Sequence, residues 1–73
     1  MFKQYIWLVG TISRAGKISL EEINRRWLGT ELSGGIEIAR TTFIRHKAAI
    51  QDIFGIEIEC DTHDGFSYYI ANQ

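Results

Sequence analysis

The sequence has no proline, a single cysteine, no low-complexity run and almost no net charge. Each absence excludes something. Cys60 alone cannot form an internal disulfide, which fits a reducing cytosol and sets the expectation of a cytoplasmic protein. No window approaches the roughly eighteen continuous apolar residues that a membrane helix needs. Met1-Phe2-Lys3-Gln4-Tyr5 leads into a stretch interrupted by Gly10, Thr11, Ser13 and Arg14, not into the apolar region of a signal peptide. The net charge of −1, from eight Lys+Arg and nine Asp+Glu, lacks the strongly basic balance of a general polyanion binder. What is present is the composition of a folded protein, 45% hydrophobic and 12% aromatic, well away from the low-hydrophobicity, high-charge regime of disorder. A chain of 73 residues makes one small domain, residues 1–73, with a thin core.

The apolar spacing predicts three helices and a hairpin. Over residues 4 to 15, Tyr5, Leu8, Val9 and Ile12 recur at i, i+3, i+4 and i+7, with Lys3, Gln4, Thr11 and Arg14 mostly off that face. Gly16 is placed to stop this helix. Lys17-Ile18-Ser19 reads as a short extended link. Ser19-Leu20-Glu21-Glu22 then has the pattern of a capping box, with Glu22 reaching back toward Ser19 and both acids at the positive end of the helix dipole. Leu20, Ile23, Trp27 and Leu28 supply the apolar stripe of this second helix, which Gly29 ends. A loop over 29 to 39, centred on Ser33-Gly34-Gly35, is expected to fold Leu32, Ile36 and Ile38 back onto the core. The third helix is predicted from Arg40 to Phe54, with Phe43, Ile50 and Phe54 inward and the Lys47 stem along the same face. Beyond Gly55, Ile56, Ile58 and Cys60 alternate with Glu57, Glu59 and Asp61 as a half-buried strand whose acidic side is solvated. Thr62-His63-Asp64-Gly65 is a turn, and Phe66, Tyr68 and Ile70 share one face of the returning strand. The predicted class is α+β: three helices closed by a C-terminal two-stranded β-hairpin, the order of a winged helix-turn-helix.

Sites of catalysis are not legible. His46, His63 and Cys60 are the nitrogen and sulfur donors available, and their spacing fits no zinc pattern. Ser33-Gly34-Gly35 lacks the preceding strand and following lysine of a phosphate-binding loop. No metal site, no cofactor and no enzymatic activity are therefore expected. Charge placement is more informative. From Ile38 through Gln51 there is no acid, while Arg40, Arg45, His46 and Lys47 all fall there, with the hydroxyls of Thr41 and Thr42 near the helix start. A helix entering the major groove by its N-terminal half uses such residues: arginine forks for guanine, threonine for phosphate or the thymine methyl. The wing turn would then lie over the adjacent groove. The competing reading is a winged-helix module that docks protein through its hairpin edge or apolar loop without binding DNA; the outward acids Glu57, Glu59 and Asp61 favour it.

Gln4-Tyr5-Ile6-Trp7-Leu8, Gly16-Lys17-Ile18-Ser19, Glu21-Glu22-Ile23-Asn24 with Trp27, Arg40-Thr41-Thr42-Phe43-Ile44-Arg45-His46, and Phe54-Gly55-Ile56-Glu57-Ile58-Glu59-Cys60 with Tyr68-Tyr69-Ile70 form an ordered set. That set resembles the N-terminal winged helix-turn-helix region of bacterial WYL-domain transcriptional regulators, in the variant of Bacteroides-type bacteria. The resemblance implies a DNA-binding domain whose Arg40, Thr41, Thr42, Arg45 and His46 face double-stranded DNA, and a core that includes Trp7, Trp27, Phe43 and Ile50. It implies a fragment of a longer regulator, whose C-terminal domain would bind any effector, and a homodimer fits the palindromic habit of helix-turn-helix proteins. Two positions depart from the family pattern: Ala39 stands where relatives carry proline, and Ile44 where they carry a polar or aromatic residue.

Overall fold

Eleven apolar side chains from every element except the short 3-10 turn make the core: Tyr5, Leu8, Ile12, Ile18, Ile23, Trp27, Ile38, Phe43, Ile50, Ile58 and Tyr68. In a computed structural model of the chain, residues 2–63 and 65–72 are described. Helix α1 (Phe2–Ala15) is followed by strand β1 (Ile18–Ser19), helix α2 (Leu20–Leu28), a 3-10 turn (Glu31–Ser33), helix α3 (Arg40–Phe54) and strands β2 (Ile58–Asp61) and β3 (Ser67–Ile70). The class is α+β, three α-helices with an antiparallel sheet. No described helix is long and apolar enough to cross a membrane.

The sheet has three strands, not the expected two. Its order is β1-β3-β2, with Ile18 opposite Tyr68 and Tyr68 opposite Cys60. The link before α2 is thus a short edge strand, because Ile18 at 5% exposure must follow its side chain into the core and its backbone then lies beside β3. Alternation gives the sheet an inner face of Ile18, Tyr68, Ile58, Ile70 and Cys60. The outer face carries Glu59, Asp61, Ser67 and Tyr69. Across that outer face Lys17 Nζ reaches Asp61 Oδ2 at 2.6 Å and stands 5.6 Å from the Tyr69 ring centroid. Asp64, within the expected turn, lies outside the described residues.

Helix α1 packs against both α2 and β3, so its buried stripe is wider than one amphipathic face. Thr11, expected off that face, is fully buried between Leu8 and Ile12 in sequence, while Val9 is only half-buried. Trp7 sits partly buried with its ring edge against Trp27, centroids 5.1 Å apart. Ser19 caps α2 as expected, its Oγ accepting from the Glu22 N–H at 3.1 Å. The reciprocal half of the capping box is not made; the Glu22 carboxylate turns to Arg25 and Arg26.

Four apolar residues expected inside are outside. Leu28 lies beyond the Ile23, Asn24, Trp27 stripe that α2 buries, and Leu32, Ile36 and Phe54 are also exposed. The loop folds back through polar groups instead. Asn24, buried mid-helix, donates from Nδ2 to the Ile38 carbonyl (3.0 Å) and accepts at Oδ1 from the Ile38 N–H (2.7 Å). The Trp27 indole N–H donates to the Ile36 carbonyl at 2.9 Å. These bonds hold the 36–38 segment along α2, so only Ile38 is driven inward, and they fix where α3 begins.

Helix α3 ends at Gly55, whose left-handed φ of +69° turns the chain and lets its N–H donate to the Gln51 carbonyl. Asn72, after β3, closes the same corner: its Nδ2 donates to the Gly55 carbonyl and its Oδ1 accepts from the Glu57 N–H. The hairpin base is thereby tied to the end of α3.

Candidate nucleic-acid interface

Helical geometry sorts α3 into three faces. Phe43 and Ile50 point to the core and are fully buried. Thr41, Arg45 and Ala48, at i, i+4 and i+7, form the outermost strip and are exposed. Arg40, Ile44 and Lys47 lie on the flank toward the hairpin. There the Arg40 guanidinium stands 5.0 Å from the Phe66 ring centroid and Lys47 Nζ stands 5.6 Å from that of Tyr68. Tyr68 is itself packed edge-on against Phe43, centroids 4.6 Å apart. Burial is the first cause that pushes its hydroxyl pKa above the usual value.

The six predicted contact residues are therefore not equivalent. Thr41 and Arg45 are on the outer strip, and Arg40 and Lys47 are on the hairpin flank. Thr42 and His46 turn to the opposite flank, where they line a cleft of about 430 Å³ with Gln4, Trp27, Glu37 and Ile38. His46 is only 8% exposed, its ring edge-on to Tyr5 at 5.3 Å. Burial lowers its pKa from the ordinary 6.5, so it stays neutral at physiological pH. Its place is behind the outer strip, since i+3 from Phe43 carries it into the packed side.

Sequence reasoning missed two residues of this region. Phe66, expected in the returning strand on one face with Tyr68 and Ile70, lies outside β3 and is 56% exposed beneath Arg40. Asn24 positions the start of α3 without belonging to it. A polar residue on the Ile23–Trp27 stripe was the available signal, because a buried amide demands partners.

Electrostatics separate α3 from its neighbours. The cations of α2 are neutralised within their own helix: Arg25 pairs with Glu21 and Glu22, and Arg26 with Glu22. Lys17 pairs with Asp61. Among the described residues, Arg40, Arg45 and Lys47 make no ion pair. The first turn of α3 holds no acid, and its N-cap, Ala39, makes no side-chain cap bond. Compared with protein-family models, with curated proteins and with solved structures, the chain matches none.

Proposed function

We propose that this chain is a winged helix-turn-helix DNA-binding domain, of the kind that WYL-domain transcriptional regulators carry in the bacterial cytoplasm. In this reading α2 and α3 are the helix-turn-helix, α3 meets the major groove, and the β2–β3 hairpin is the wing. The observation that carries it is the unequal pairing of charge. The chain is slightly acidic, yet Lys17 and the cations of α2 are paired with Asp61, Glu21 and Glu22, while the three α3 cations keep their charge for a partner. In this role Arg45 and Thr41 reach base edges, and Arg40 and Lys47 meet phosphates along the wing flank. His46 supports the helix from behind and Thr42 flanks the groove. Glu59 lies on the sheet face opposite to Tyr68, away from α3, so it does not oppose this strip.

Fluorescence anisotropy with a labelled random-sequence duplex tests the reading. Non-specific affinity on the order of 1–100 μM at low salt is expected, falling with log[salt] at a slope of about −2 for the two phosphate-facing cations Arg40 and Lys47. Arg40→Ala reduces that slope by about 1. Absence of binding at low salt would overturn the proposal. One observation favours a protein-docking module instead: Ile44 is 49% exposed in the middle of α3, and Leu28, Leu32 and Ile36 are exposed on and after α2. That module shows no duplex binding at any salt.

A further inference from the structure

His46 is more than nine-tenths buried on the packed side of α3, yet no protein group answers its ring nitrogens. Its ring meets Tyr5 edge-on, and among the described residues it makes no hydrogen bond. Nor are those nitrogens sealed away, because no described side-chain nitrogen or oxygen cut off from solvent lacks a partner. They open into the cleft that His46 lines, about 430 Å³ between α1, the 32–39 segment and the start of α3. Two more half-buried side chains join it there: Thr42, one turn earlier on α3, and Gln4 of α1. Neither makes a hydrogen bond among the described residues. Burial keeps the imidazole neutral, so imidazole, hydroxyl and amide each bring both a donor and an acceptor to the cleft.

The rest of the wall is apolar. Trp27 lines it from within the core, while Leu32 and Ile36, which the core does not take in, line it from exposed positions. An apolar wall with a few polar groups is the build of a small-molecule site, and the volume falls in the usual range of roughly 300–1,000 Å³. Charge narrows the ligand. Among the described residues no lysine or arginine lines the cleft, and exposed Glu37, without an ion pair, is its one carboxylate. The amino terminus acts with the opposite sign: its positive charge is the second cause, after burial, that lowers the His46 pKa. With one charge of each sign near the site, neither an anion nor a cation gains a net advantage.

We propose that this cleft binds a small uncharged ring compound whose edge carries both a donor and an acceptor, an amide or a nitrogen heterocycle. His46, Thr42 and Gln4 take its polar edge, and Leu32 and Ile36 cover its ring. None of Arg40, Arg45 and Lys47 lines the cleft, so the site does not depend on the DNA-binding reading.

Two-dimensional NMR of the isotope-labelled chain, titrated with benzamide in the absence of DNA, tests it. Benzamide should shift the His46 ring and Thr42 amide resonances with a Kd of roughly 1–10 mM, as expected of so small a ligand. Benzoate and benzylamine carry the same ring with a negative or a positive charge. Each should bind at least about threefold more weakly, because its charge loses water without a net gain. Thr42→Val keeps the side-chain shape and removes the hydroxyl, and should weaken benzamide about threefold to tenfold, the worth of one hydrogen bond. Gln4→Met, on the other wall, should act alike. No shift at these groups up to about 50 mM benzamide, a charged probe that binds as tightly, or a Kd indifferent to both variants would overturn the inference. Because no duplex is present, that result leaves the DNA-binding proposal standing, and failure to bind duplex leaves this site standing.

Discussion

Asn24 holds Ile38 by both of that residue's backbone hydrogen-bonding groups, across fourteen positions of chain. The side-chain amide does for the loop what a neighbouring strand would do, donor to carbonyl and carbonyl to donor. Both ends of the contact are buried, so neither Ile38 group has water to fall back on. Asn24→Ala should therefore destabilise the domain by about 2–3 kcal/mol, the cost of buried backbone groups left unpaired. Urea titration measures it. A loss below about 0.5 kcal/mol, the scale of an ordinary surface substitution, would show that water replaces the amide. Asn24→Asp should also destabilise, because a carboxylate has no donor for the Ile38 carbonyl.

Gly55 offers a cleaner backbone test. An added Cβ would meet nothing within 4 Å, so the cost of Gly55→Ala is conformational alone. At φ +69° it should be about 1–2 kcal/mol. Thermal unfolding followed by circular dichroism reads this directly, with Gly10→Ala unsuitable as a control because Arg14 crowds that site.

Acidification should weaken the fold in two windows. His46 has its pKa lowered by burial, so the unfolded chain binds its proton first. Stability from this group is fully present above pH 6.5 and is lost as the pH falls below that value toward the folded pKa. Asp61 is lowered too, by the Lys17 hydrogen bond first, and acts the same way at lower pH, below its ordinary 3.8. His46→Gln should flatten the upper window and leave the lower one. An upper window of equal size in that variant would assign the effect to another group.

Phe66 and Arg40 connect the hairpin to α3 by a contact exposed to water. Phe66→Ala should change stability by less than about 0.5 kcal/mol, as for most exposed positions. If α3 binds DNA as proposed, the same variant should weaken duplex affinity by releasing Arg40. Unchanged affinity would mean that the ring does not hold the guanidinium where phosphate meets it.

The helices were legible because several of their ends carry a signal: Gly16, the Ser19 cap and Gly55 all stand where the sequence places them. The basic, acid-free run also proved to be one helix. What sequence could not supply was the tertiary choice among plausible faces. Phe54 and Leu28 satisfy local periodicity but meet no neighbour, whereas Thr11 and His46 are polar yet lie where three elements converge. A two-residue strand such as Ile18–Ser19 has no periodicity to detect; only its pairing with β3 defines it.

That pairing has a kinetic meaning. β3, the last strand in the chain, is the centre of the sheet, and its partner β1 lies near the beginning. The helices and the β2–β3 hairpin form from neighbours, but the contact of Ile18 with Tyr68 closes a loop of about fifty residues, a slower step set by loop entropy. β3 is thus the piece whose arrival completes the sheet. While a ribosome is still making it, α1 and β1 have no sheet to join.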